Sequence, residues 1–396
     1  MRIGWWAAPA LSVAVMTGLV FAFRFNTSLL QLTADMPADA VHYVRLVEGL
    51  RSVASAQPQA PFAFRILPAA IVAATGLDPA MGFFVLDVAA ILGTALVLLK
   101  LLRPWVGPAG AVMAIVGWSV LPYSIRLFVN YPILPDALAT FLFVALLMAA
   151  QRRNTAMFAV LLVAAVLTRE NLSFVAPLLL LRTLAARQPV RLAILAALPA
   201  AAALAAIHLW PPVVPADGSL GTVSNVAHFG NAIWTNEHDE AWRALAAPLF
   251  ALGALVGVLL SRSALAVVRS EPGWLYLVIA GVVIATVGGG DHDRYIGTIS
   301  PLLVLVAVRA VRWPIRTQVL AGVAAIQVIG ARLLVPLSGE PDAPPFLVGY
   351  VPLEVLAFWS FVVLVCSAVV AAARSVGTGP LLRSAVVEIS PLTVPP

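Results

Sequence analysis

The sequence predicts an all-α fold, a polytopic transmembrane bundle of about 12 spans (range roughly 11–13). Three observations lead there. Hydrophobic residues make up 62% of the chain and charged residues only 11%, whereas a soluble domain carries about 25% charged residues. Mean hydropathy is +0.99. Apolar runs recur near the ~20 residues that a helix needs to cross a bilayer.

The first run is GWWAAPALSVAVMTGLVFAF, residues 4–23. A signal peptide has a shorter apolar core and a small-residue cleavage site, whereas this run is long and is followed by bulky residues up to Phe25; it reads as an uncleaved first span. The later spans are expected near 81–101, 107–127, 132–150, 154–168, 170–185, 190–210, 243–261, 273–288, 294–311, 316–336 and 350–373. Residues 61–79 are not counted as a crossing. Pro61 and Pro68 interrupt them and Arg65 would need burial, so an interfacial or re-entrant helix fits better.

The expected organisation is one membrane domain over 1–374, with a long first outer loop (24–80) carrying interfacial helices. A second outer loop covers 211–242 and a mobile cytoplasmic tail covers 375–396.

Charge fixes the expected orientation. With the N-terminus in the cytoplasm, Lys100, Arg103, Arg152, Arg153, Arg182, Arg187, Arg191, Arg262, Arg269 and Arg309 fall on the cytoplasmic side. Asp35, Asp39, Glu48, Asp136, Glu170 and Asp291 fall at or beyond the outer face. Both termini are then cytoplasmic. The net charge of +6 reads as membrane topology, and no nucleic-acid partner is implied. Cys366 is the only cysteine, which leaves no intrachain disulfide and no cysteine metal site.

Three polar groupings stand out. In TADMPADAVHYVRLVEGL, residues 33–50, Pro37 suits a first helical turn and Asp35 the cap before it. Asp39, His42, Tyr43 and Leu46 then share one face. An ordinary amphipathic surface helix has the same pattern. In GGGDHDRYIGTISP, residues 288–301, Asp291 and Asp293 could hold a divalent cation. Arg294 could instead bind a phosphate, and a plain polar turn is the third reading. The last grouping consists of charges at the outer ends of apolar runs: Arg65, Arg126, Asp136, Arg169, Glu170 and Arg332, with Asp87 deeper. Charges inside spans are costly and usually face a cavity or a partner. HExxH and Gly-x-Ser-x-Gly patterns are both absent from the sequence, so a zinc protease and a serine hydrolase elbow lack support.

The series DAVHYVRLVEG, PFAFRILP, LPDALATFLF, VLTREN and DRYIGTISPLLVLVA resembles the C-type (GT-C) superfamily of multi-span membrane glycosyltransferases. The likeness is to the bacterial mannosyltransferase-like branch. It implies a transferase of the cell envelope that moves a hexosyl or pentosyl unit, with inversion, from a polyprenyl-phosphate-linked donor. The acceptor would be a glycan, lipid or protein at the outer face of the bacterial inner (plasma) membrane. By that resemblance Asp39 is the general base, with Asp35 second. His42, Tyr43, Arg65, Arg126, Asp136, Arg169, Glu170, Arg294 and Tyr295 bind the substrate or its phosphate. Cofactor use is left open, with a divalent cation as the candidate. The competing expectation is a secondary transporter or lipid flippase.

Overall fold

The structure is a computed structural model. It describes residues 4–25, 38–52, 64–121, 124–125, 128, 133–209, 251–287, 292–311, 321–327 and 361–369. Every regular element among these is helical. In chain order they are α1 (Ala8–Phe25), α2 (Ala38–Ser52), α3 (Ile66–Thr75), α4 (Pro79–Leu102) and α5 (Pro108–Ser119). Next come α6 (Asp136–Gln151), α7 (Thr155–Thr168), a 3-10 turn (Glu170–Val175), α8 (Pro177–Ala185) and α9 (Arg191–Leu209). The last are α10 (Leu255–Leu259), α11 (Arg262–Ser270), α12 (Pro272–Val287) and α13 (His292–Ala310). Short helical stretches over 321–327 and 361–369 follow.

Local chemistry explains several helix limits. Asp78 caps α4 by accepting from the backbone N–H groups of Ala80 and Met81, and Pro79 occupies the first helical position. Asn154 caps α7 through the Met157 N–H, and Ser261 caps α11 through that of Ala264. Gly76 ends α3 in the left-handed conformation at φ 70°. The same end of α3 is clamped by Arg51 of α2, which donates to the carbonyls of Val72 (3.1 Å), Ala73 (3.4 Å) and Leu77. A cation is favoured there by the carbonyl-rich end of the helix.

The core lies around α6, whose residues are nearly all buried. It packs against α4, α7 and α13; α1 and α5 cover α4, α9 covers α7, and α12 lies along α13. At one end, α2 packs on α3, and α3 on α4 and α7. That stack forms the roof over the first turn of α6. Large apolar side chains also stand exposed on outer helix faces, among them Val160, Leu192, Leu198, Val283 and Leu364. The apolar excess of the sequence is therefore found on the surface as well as in the core.

The expectation of about 12 spans is corrected. Among the described residues one helix, Pro79–Leu102, is long and apolar enough to cross a membrane, or two at most if Arg262–Ser270 and Pro272–Ala285, bent by 113°, count as one span. The physical reason is helix length. The other apolar stretches, such as Pro108–Ser119, Asp136–Gln151 and Thr155–Thr168, run 10–17 residues. At a rise of about 1.5 Å per residue, the 12 residues of α5 reach only about 18 Å. The expected spans at 154–168 and 170–185 become one helix, a 3-10 turn and a nine-residue helix. Most of the spans expected at 316–336 and 350–373, the outer loop 211–242 and the tail 375–396 lie outside the described residues.

Candidate functional site: a buried polar centre under α2 and α3

Charged side chains from four separate segments converge beneath α2 and α3. Arg65 precedes α3 and is 8% exposed. Its Nε donates to Glu170 Oε2 and its Nη2 to Glu170 Oε1, both at 3.2 Å, so guanidinium and carboxylate meet fork to fork. Its Nη1 donates to the Tyr43 hydroxyl at 3.1 Å. Tyr43 is fully buried on α2 and its ring meets Phe83 edge-on at 6.2 Å. Burial alone would raise the Glu170 carboxyl, but the Arg65 guanidinium, with smaller help from Arg169, outweighs it and holds the group below the usual carboxylate range.

Arg169, the residue before Glu170, turns the other way. It is 1% exposed. Its Nη1 donates to Asp136 Oδ1 at the start of α6, and its guanidinium lies 4.5 Å from the centroid of the Tyr295 ring on α13. Asp87 of α4 completes the group, buried and within electrostatic reach of Asp136. Two buried atoms here have no hydrogen-bond partner: Asp87 Oδ2 and Arg169 Nε. A buried unpaired polar atom costs about 1–3 kcal/mol. Two of them beside the same aspartate mark a place where donor and acceptor capacity is held in reserve.

The structure thus brings together Tyr43, Arg65, Asp136, Arg169, Glu170 and Tyr295 of the expected site residues, and adds Asp87 to them. Asp39 lies on α2 one turn before Tyr43, at a position that shares its face. His42 is half-buried on the same helix. Asp293 and Arg294 lie in the first turn of α13. The side chains of Asp39, Asp293 and Arg294 fall outside the described residues, as do Asp35, Arg126 and Asp291 altogether. Among the described residues no group of three His, Cys, Asp or Glu side chains could hold a metal ion.

Sequence reasoning named most of these positions without pairing them. The pairing signal was present: a charge set in an apolar run needs a partner of opposite sign, and Arg65, Asp136, Arg169 and Glu170 supply two of each. Asp87 was visible only as a charge in an otherwise apolar helix.

The chain matches no protein-family model, no curated protein and no solved structure. Together with the helix lengths this overturns the family expectation. A multi-span C-type glycosyltransferase of the mannosyltransferase-like branch requires a bundle that the described helices do not form. The lipid-linked sugar transferase activity, the polyprenyl-phosphate donor and bilayer as partners, and the multi-pass inner-membrane location rested on that bundle and go with it. The transporter or flippase alternative rested on the same spans and is withdrawn for the same reason.

Proposed function

We propose that the chain binds a small, neutral, polyhydroxylated molecule at the polar centre. The observation that carries this reading is the pair of unpartnered buried atoms, Asp87 Oδ2 and Arg169 Nε, on two residues that both neighbour Asp136. A hydroxyl group is both donor and acceptor. One ligand hydroxyl can donate to Asp87 while it or its neighbour accepts from Arg169 Nε, which pairs both atoms at once. Electrostatics favour a neutral ligand. Two guanidiniums, Arg65 and Arg169, already face Glu170 and Asp136, and Asp87 adds a further carboxyl, so an added anion would meet no surplus of positive charge. Tyr43 and Tyr295 hold Arg65 and Arg169 in place for such a ligand, one by a hydrogen bond and the other by a ring contact. Glu170 and Arg65, the more accessible pair, stand on the approach side. His42, half-buried on α2, is proposed at the edge of that approach.

The test is thermal unfolding of the full chain in the presence of glycerol, mannitol, inositol and common monosaccharides. A ligand at ten times its dissociation constant stabilises the folded state by about 1.4 kcal/mol. The expected result is a raised Tm with at least one compound, lost in Asp87→Asn and in Arg169→Lys, with both variants folded by circular dichroism. If no polyol shifts the Tm at up to molar concentration, or both variants respond as wild type does, the reading fails.

A further inference from the structure

The opposite end of the bundle carries a second, differently built cluster. Helix α13 connects the two ends: Tyr295 contacts Arg169 near its start and Arg309 lies in its last turn, about 21 Å further along the axis. Arg309 sits against two indole rings, 4.9 Å from the centroid of Trp105 and 5.0 Å from that of Trp274. The two rings are perpendicular with centroids 5.8 Å apart, so the guanidinium rests in an aromatic corner that fixes its plane. Arg309 Nη1 contacts Glu271 Oε1 at 3.3 Å and Arg182 Nη1 contacts Glu271 Oε2 at 3.8 Å. One carboxylate therefore serves two arginines. Arg153 lies within electrostatic reach of Arg182, and Arg103 and Arg187 stand exposed at neighbouring helix ends.

Two further features set this end apart from a solvated ion-pair network. The Arg182, Glu271 and Arg309 side chains are only a quarter to a third exposed, so they are reachable yet partly shielded from water. In addition, Arg153 and Arg187, just past the ends of α6 and α8, adopt φ 54° and 53°. Glycine is the inexpensive residue at a left-handed position after a helix. Both positions hold arginine instead, each with its backbone N–H bonded back into its helix at Ala150 and Leu184. The next N–H groups, of Asn154 and Gln188, reach back to Ala149 and Thr183, so both arginines sit at the sharp reversal of a Schellman turn on this end.

We infer that the face formed by Arg153, Arg182 and Arg309 around Glu271 is a binding site for a multiply charged phosphate compound, separate from the polar centre. Three arginines gathered around one carboxylate leave two positive charges without a counterpart among the described residues. Guanidinium forks match phosphate oxygens in pairs, and the Trp105–Trp274 corner holds one fork ready. Burial is the main reason the Arg182 guanidinium lies below its ordinary value; Glu271 opposes it, and Arg153 and Arg309 add smaller repulsions. A ligand of two or more negative charges relieves that crowding, whereas a single carboxylate cannot.

Inorganic pyrophosphate is the probe, titrated calorimetrically into the full chain at low ionic strength. The expected result is saturable binding that weakens as salt rises, and weakens about tenfold or more in Arg182→Gln. Arg153→Gly is the discriminating variant. It relieves the left-handed backbone while removing a charge, so it should raise the Tm and lower pyrophosphate affinity together. A raised Tm with unchanged affinity would overturn the site, as would no pyrophosphate binding at millimolar concentration. Binding confined to phosphatidylglycerol vesicles, with none to free pyrophosphate, would also overturn it.

Discussion

Arg65 and Glu170, 105 positions apart, meet through two parallel hydrogen bonds of 3.2 Å. This pair ties the start of α3 to the 3-10 turn after α7, and the centre beneath it depends on that tie. Glu170→Gln keeps the shape but removes the charge opposite a buried guanidinium. It should destabilise the fold by about 3 kcal/mol, measured by denaturant unfolding.

The same residue gives a pH signature. The folded Glu170 carboxyl lies below its ordinary value, so the unfolded chain binds its proton first on acidification. Its contribution to stability is fully present above about pH 4.3, the ordinary glutamate value. It is lost as pH falls through the lower folded value. Unfolding free energy measured from pH 6 downward should drop more steeply below about pH 4 in wild type than in Glu170→Gln.

Asp136→Asn should be more damaging than Glu170→Gln. Arg169 is almost wholly buried, and Asp136 is its carboxylate partner. Leaving that guanidinium without an anion costs about 3–5 kcal/mol. The double variant Asp136→Asn with Arg169→Met should recover part of the loss, because an apolar replacement of a buried pair is close to neutral. Chemical unfolding of the two variants checks the order.

Tyr43→Phe separates packing from hydrogen bonding. The ring contact with Phe83 remains, while Arg65 loses the hydrogen bond from its Nη1 to the Tyr43 hydroxyl. The expected cost is about 1–2 kcal/mol, and amide exchange should quicken in the first turn of α3 with little change in α6.

Gly257→Ala tests a close approach elsewhere. A methyl group there would lie 2.6 Å from the Cys366 side chain and 2.9 Å from the Val363 carbonyl oxygen. Backbone cannot yield as a side chain can, so the substitution should cost about 1–3 kcal/mol. An unchanged Tm would show that the 361–369 helix does not pack on α10 in this way.

How much of this was legible in the sequence differs by residue. Helix limits at Asp78-Pro79, Asn154 and Ser261 follow from capping chemistry that local sequence carries. Span number did not follow, because hydropathy windows measure how apolar a run is and not where its helix stops. Pro108–Ser119 is apolar throughout yet spans 12 residues, and VLTREN turns sharply at Arg169 (φ −158°, ψ 111°). Individual site residues were legible because charges are rare in this chain. Their pairing was not: Arg65 could have met Asp136 or Glu170, and only the way α3 stacks on α4 and α7 selects Glu170. Asp87 gave no sign of lacking a partner, since that depends on how its neighbours turn.

Arg169 and Glu170 are consecutive, yet one reaches to α6 and the other to the start of α3. One peptide unit therefore acts as a yoke, carrying two loads that pull in different directions. Loosening either grip leaves the dipeptide free to swivel and slackens the other. The α3 roof and the α6 floor should consequently open as one cooperative unit, and a ligand that seats against Arg169 would tighten a helix it never touches.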